Sequence, residues 1–246
     1  MATKVAVQLI AWGERARSDL KNVLQEVRGA GYDGVETSPV VLEKVSGDLL
    51  EEFGLSLVGV HLGGGDMGPV PGAMDLLERL GGRFLIFSGI GKRKGNLEED
   101  YGRAAEFLNR VGEEAKSRGL GVLYHNHAFE FEQNGAGMVV LLRETEPGLV
   151  RFAVDTYWVY VGRRDPVDFL RENSDRVGYV HFKDFRHHSA NPFAELGRGV
   201  LDFPGIWEVL KPLGLEWVCV EQDRTDGPPN ESAKISRRYI RERLGL

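Results

Sequence analysis

The stretch LGVLYHNHAFEF, Leu120 to Phe131, decides how the chain is to be read. A glycine opens a short apolar run, and the run ends abruptly in His125, Asn126 and His127, with Glu130 three residues further on. The chain has six histidines, and two of them stand in this one tripeptide. An apolar run this short, entered through glycine and closed by polar residues, reads as a fully buried strand; a helix needs a longer run with 3.6-residue spacing.

Working outward, the same unit recurs. Strand candidates are VAVQL (5–9), GVET (34–37), LVGVH (57–61), FLIFS (84–88), GVLYH (121–125), RFAVD (151–155), VGYVHF (177–182) and WVCVE (217–221). Between them lie segments of helical spacing such as SDLKNVLQEVRGAG and NLEEDYGRAAEFLNRVGEEAKSRG, several opening on Ser, Asp or Asn and closing on Gly, as helix caps should. Eight strand–helix repeats without a long linker predict an α/β fold, a (β/α)8 barrel forming a single domain over residues 1–246. An open doubly wound sheet is the alternative. It has little to recommend it, because no strand runs into a GxGxxG or a P-loop, and the G-x-G of GRGVLDFPG follows no strand directly.

Bulk properties narrow the function. The chain has 246 residues, 42% hydrophobic and 28% charged, with a net charge of -6. Nucleic-acid affinity comes largely from Lys and Arg on phosphates, so an acidic chain makes nucleic acid a poor default partner. The start MATKVAVQLIAW lacks the pattern of a secretory signal, and no apolar run approaches a membrane span, so a cytoplasmic protein with no membrane contact is expected. The single cysteine, Cys219, reads as a small buried hydrophobe.

In a barrel of this kind chemistry sits at the C-terminal ends of the strands. Those ends read Glu36, His61, Ser88, His125, Asp155, His181 and Glu221. Buried ionisable groups cost several kcal/mol unless paired or ligated, so their recurrence around one rim points to a site. His125, Asp155, His181 and Glu221 end strands five to eight and form a mixed imidazole–carboxylate set suited to one divalent ion. Manganese, zinc, cobalt or iron(II) fits such a set better than calcium or magnesium. Lys183, two residues past His181 and on the same side of the strand, is a candidate base or oxygen ligand for substrate. Glu36, His61, Trp158, Asp184 and Arg186 are candidates for substrate contact. Tyr157, Trp158 and Tyr160 read equally well as core or as the floor of a sugar pocket. His187 and His188 are expected in a solvated loop.

With these residues in place, the chain resembles the xylose isomerase-like TIM barrel superfamily, in particular its sugar phosphate isomerase and epimerase group. The resemblance rests on GYDGVE, VGVH, YHNH, VDTYW, HFKD, LGRGVLDFPGI and VCVEQD, which span nearly the whole chain. It implies a metal, often manganese, held by Glu, Asp, His and Glu from strands five to eight, and it carries the last three onto Asp155, His181 and Glu221. Strand five departs: relatives read Glu-Asn-His where this chain reads His125, Asn126, His127. His125 then stands in for the carboxylate, with Glu130 folding back as the alternative ligand. Trp158 departs as well, standing where epimerase relatives have a substrate-contacting His.

The implied chemistry is removal of a proton next to a carbonyl through an enediolate, giving an isomerase or epimerase of a small sugar. Glu221, Glu130, Lys183 and His127 are the catalytic candidates, and a homodimer is a further implication. A lyase acting on an inosose or 3-keto-sugar shares the first step and is the alternative. An endonuclease IV-like DNA repair enzyme is a minor one, since Trp158 stands where that reading needs a further histidine. A sugar-binding barrel without catalysis is the remaining reading.

Overall fold

The structure, a computed structural model, describes all residues except 1, 47, 91–95 and 188, so His188 lies outside the described residues. Eight parallel strands close a barrel in the order β1-β10-β7-β6-β5-β4-β3-β2. They are β1 (Lys4–Gln8), β2 (Gly34–Thr37), β3 (Ser56–Gly63), β4 (Phe84–Ser88), β5 (Gly121–His125), β6 (Val150–Asp155), β7 (Val177–Phe182) and β10 (Trp217–Val220). A small antiparallel hairpin, β8 (Asp184–Phe185) and β9 (Phe193–Ala194), stands between the last two barrel strands. The helices between successive strands lie where the sequence places them, and the short helices Arg15–Ser18, Pro39–Leu42 and Thr156–Val161 stand where none was expected. In Leu20–Ala30, for example, Leu20, Val23, Leu24 and Val27 are buried, a stripe at helical spacing that packs into the apolar layer around the barrel.

Alternation along each strand sends one set of side chains outward to the helices and the other into the barrel. The inward set forms its own apolar plug of Ala6, Val58, Ile86, Leu123, Ala153, Tyr179, Trp217 and Cys219. Gly34 makes room for it, because a Cβ there would come within 2.9 Å of the Trp217 ring. One more inward position along most strands is the polar layer above this plug; on β3, where the register shifts, Val58 is followed by Val60 and the polar residue is His61. Ala6 is followed by Gln8, Leu123 by His125, Ala153 by Asp155, Tyr179 by His181 and Cys219 by Glu221. Register shifts in the β2–β3 and β6–β7 pairs adjust where neighbouring strands deliver their ends.

Candidate metal centre

The strand ends are tied to one another by their own neighbours in sequence. The Asn126 side chain accepts from the Asp155 backbone N–H at 2.9 Å and donates to the Asp155 carbonyl at 3.2 Å, clamping the end of β5 to that of β6. The Thr156 hydroxyl lies 3.1 Å from the His181 and Lys183 carbonyls and accepts from the Lys183 N–H, which joins β6 to β7. Asp155 divides its carboxylate: Oδ1 accepts from Trp158 N at 3.0 Å and so caps the helix Thr156–Val161, while Oδ2 is left pointing into the barrel mouth.

There it meets three other groups. One ligand atom each from His125, Asp155, His181 and Glu221 lies within 4.8 Å of the others, and all four residues are buried. His125 Nε2 is 3.4 Å from Asp155 Oδ2 and 3.7 Å from Glu221 Oε2, and His181 Nδ1 is 2.5 Å from Glu221 Oε2. None of these four atoms has a hydrogen-bond partner outside the cluster. Buried polar atoms are nearly always paired, so four unpaired ones converging on one point need an explanation. A divalent ion supplies it, matching two imidazoles and two carboxylates in number and in charge.

The carboxylates around the cluster also hold protons on its basic neighbours. Burial alone would lower the His181 pKa, but the carboxylates of Glu36 and Glu221 outweigh it and push it up to about 10. The same opposition operates at Lys183, where burial is overcome by Glu221, Asp155 and Asp223 and the ammonium is held above its ordinary value. Lys183 Nζ is 2.8 Å from Glu221 Oε1, 2.6 Å from Asp223 Oδ1 and 3.6 Å from Asp155 Oδ2. The rings of Trp158, Phe193 and Tyr157 lie 5.1, 5.1 and 5.6 Å from it. Tyr157 and Trp158 thus pack beside Lys183, whereas Tyr160 is partly exposed and packs on Phe185 and His187. His127 has the opposite character: burial and the neighbouring His125 drive its pKa down to about 3, and its buried Nδ1 is unpartnered. Its ring stacks on Phe129, and its centroid is 5.0 Å from that of His125.

The other candidates have their own partners. Glu130 does not fold back toward the ligand set. Its carboxylate accepts from the Tyr124 hydroxyl and, at 2.7 Å, from the His127 N–H, a bond that closes the turn Ala128–Phe131, while Tyr124 faces the helix layer. Asp184 is fully buried, and its carboxylate accepts from the backbone N–H groups of Phe185, Gly197, Gly199 and Leu201. It organises the GRGVLDFPG loop, whose amides are therefore turned to a carboxylate instead of a phosphate. A Cβ at Gly199 would lie 2.1 Å from Asp184 Oδ1, which is why that position is glycine. Arg186 is held at the rim by Asp226 and by the Phe193 carbonyl. Glu36 faces no open space either: it is fully buried between His181 and His61.

Asp223 and Gln8 were missed. Asp223 follows Glu221 by two residues and so falls on the same face, a signal the sequence offered. Gln8 ends β1 inside the polar layer, where its Oε1 accepts from Ile10 N at 2.6 Å.

The model of the xylose isomerase-like TIM barrel family matches residues 24–243, and the chain belongs to that family. It is 29% identical over 204 residues to an inosose dehydratase of Geobacillus thermodenitrificans, an overlap of 70% of this chain and 68% of that one. An inosose dehydratase of Halalkalibacterium halodurans is 33% identical over 158 residues, 56% of this chain and 52% of its own. The chain thus spans about half to two thirds of the length of the curated relatives it matches. A D-allulose 3-epimerase from Methylomonas sp., solved with D-allulose, superposes with a TM-score of 0.80 at 18% identity, covering 98% of this chain and 97% of that one. The IOLI protein with a bound zinc atom superposes at 0.78 and 15% identity, covering 99% and 98%. At those identities the two structures speak for the fold. Among the described residues no helix is long and apolar enough to cross a membrane.

Proposed function

We propose that the chain is a divalent-metal-dependent enzyme that removes a proton next to the carbonyl of a polyhydroxylated ketone and expels a β-hydroxyl, dehydrating an inosose or related keto-sugar. The observation that carries this is the convergence of four unpaired buried atoms, on His125, Asp155, His181 and Glu221, beside an uncharged His127 and a charged Lys183. An ion bound by those four residues would act as a Lewis acid on the carbonyl oxygen and acidify the neighbouring C–H. Two imidazoles in the set suit zinc, cobalt or iron(II) at least as well as manganese.

The chain's own groups divide the remaining work. His127, with a free Nδ1 and no proton to lose first, is placed to accept the proton. Lys183 stays charged, which disqualifies it as base and suits it to stabilise negative charge on a substrate oxygen or to hydrogen-bond the departing hydroxyl. Tyr157 and Trp158 offer an apolar floor for the carbon face of the ring. Elimination balances with one base: the C–H and C–O bonds break, a C=C bond forms, and His127 passes its proton to the hydroxyl, which leaves as water.

Isomerisation or epimerisation is the second reading, and the division of Glu221 favours it. Oε2 faces the ligand set while Oε1 meets Lys183, so this carboxylate could return a proton on a second side of the substrate. Strand five supplies no second carboxylate, having His125 there, and the sequence relatives are called inosose dehydratases. Dialysis against a chelator, then incubation of metal-reloaded protein with panels of keto-cyclitols and ketoses, tests both. The expected product is lighter than substrate by one water; a mass-neutral product selects the second reading, and full turnover by metal-free protein removes both.

A further inference from the structure

Three strand ends take no part in the ligand set: Glu36 on β2, His61 on β3 and Ser88 on β4. They form a chain of hydrogen bonds that ends on one member of that set. Glu36 Oε2 lies 2.8 Å from His181 Nε2, Glu36 Oε1 lies 3.2 Å from His61 Nδ1, and His61 Nε2 lies 3.0 Å from Ser88 Oγ. An ionised carboxylate only accepts, which fixes every proton in the chain. Ser88 donates to His61 Nε2, His61 donates from Nδ1, and His181 donates from Nε2. Once an ion displaces the proton on Nδ1, His181 is left as the Nε2–H tautomer with its lone pair on Nδ1, the atom aimed at the other ligands.

The link is not a contact between neighbours. Strands β1 and β10 stand between β2 and β7, so Glu36 reaches across the barrel interior to touch His181. It does so with no solvent exposure, above the plug residues Tyr179 and Cys219. The brace also reaches a second ligand by packing, because the His61 ring stands edge-on to His125 at 4.9 Å between centroids.

We propose that Glu36 is a positioning residue that fixes His181 with Nδ1 toward the ion, braced through His61 and Ser88, so that strands β2 to β4 set how tightly strands β5 to β10 hold it. This rests on reading the four-residue cluster as a metal site. A carboxylate behind a ligating imidazole orients the ring and raises its basicity, and losing such a partner typically costs about 10- to 100-fold in metal affinity.

The test measures Co2+ and Zn2+ affinity by competition with a chromophoric chelator, and the Co2+ visible spectrum, on the wild-type chain and four variants. Glu36→Gln keeps an acceptor for His181 but loses the charge; affinity should fall about 10-fold and the Co2+ band should shift. Glu36→Ala should fall toward about 100-fold, His61→Ala several-fold, and Ser88→Ala about twofold or less. In the Zn2+-loaded protein, 15N spectra should show His181 protonated at Nε2 and ligated through Nδ1. Wild-type affinity and an unshifted Co2+ band in Glu36→Gln overturn the proposal, whether or not Glu36→Ala folds. Wild-type protein that takes up neither ion overturns the metal reading itself, and the proposal with it.

Discussion

The two arcs of the barrel mouth are built from the same residue types and behave differently. Along β1 to β4 the inward polar groups Gln8, Glu36, His61 and Ser88 are hydrogen-bonded to one another, to the adjoining backbone or, from Glu36, to His181 of the other arc. Along β5 to β10, His125, Asp155, His181 and Glu221 bring four atoms together and leave them unpaired. Both arcs contain imidazole and carboxylate at strand ends, so residue type alone does not mark a site. The mark is unsatisfied valence: a closed hydrogen-bond chain makes a brace, and an open cluster makes a place for something else.

The largest expected effect would break this comparison if it failed. Asp155→Asn keeps the Oδ1 cap on Trp158 N but removes the charge from the cluster. Turnover should fall on the order of 10³-fold or more, with less than one ion retained per chain. Ser88→Ala, in the paired arc, should change turnover by about threefold or less, since it removes only the outermost bond of the brace, to His61. Equal losses in steady-state kinetics and metal analysis for the two variants would show that the arcs do not differ in kind.

A second substitution separates holding an ion from moving a proton. His127→Gln should lower kcat by about 10²- to 10³-fold, the range of a lost general base, while metal affinity stays at the wild-type value because His127 is outside the ligand cluster. A parallel loss of metal would place His127 in the open arc as a ligand instead.

The barrel and the open arc were legible in the sequence because both depend on local period. Every barrel strand ends within a residue or two of its expected position, and the inward face follows from counting by two. What was not legible depends on where loops return. The first four strand ends look like the last four, and only the bonds that join Glu36, His61 and Ser88 and anchor Glu36 on His181 show that they leave no open cluster. Glu130 follows the strand closely enough to suggest a ligand, yet the turn Ala128–Phe131 carries it to Tyr124. Asp184 sits in HFKD beside Lys183, but β8 sends its side chain to the other side, where loop amides collect it. The helix Glu132–Glu144 is a milder case: residues 133–135 are left-handed, so its regular part begins after Gly135.

Glu130 also yields a test outside the mouth. Burial raises its pKa from 4.5 to about 7, against the opposing pull of its bonds from Tyr124 and the His127 N–H. Between those values the folded chain holds a proton that the unfolded chain has released, so stability falls as pH rises from about 4.5 to about 7. Glu130→Gln removes that titration while keeping an acceptor and a donor in place. Its stability should match or exceed wild type above pH 7, by about 1–3 kcal/mol, with the gap closing toward pH 4.5 in urea titrations. A gap that widens on acidification would mean that the carboxylate is preferentially ionised in the fold.

The smallest effect sharpens the link between the arcs. In the metal-free chain His181 binds its proton up to about pH 10, because Glu36 and Glu221 together overcome the cost of burying the charge. An ion taken up at Nδ1 must displace that proton. Below pH 10 the apparent Kd should therefore weaken about tenfold for each unit the pH falls, with one proton released per ion. The slope should steepen toward acid as His125 joins; burial works against its proton, but Asp155 and Glu221 raise its pKa above the ordinary value. Calorimetry in buffers of different ionisation enthalpy counts the protons directly. Replacing Glu36 with Gln removes one of the two carboxylates that hold the His181 proton, so release should begin to fade at a lower pH in that variant. Identical proton counts in the two proteins across the whole range would mean that Glu36 exerts no electrostatic influence on His181, and the brace would then be only steric.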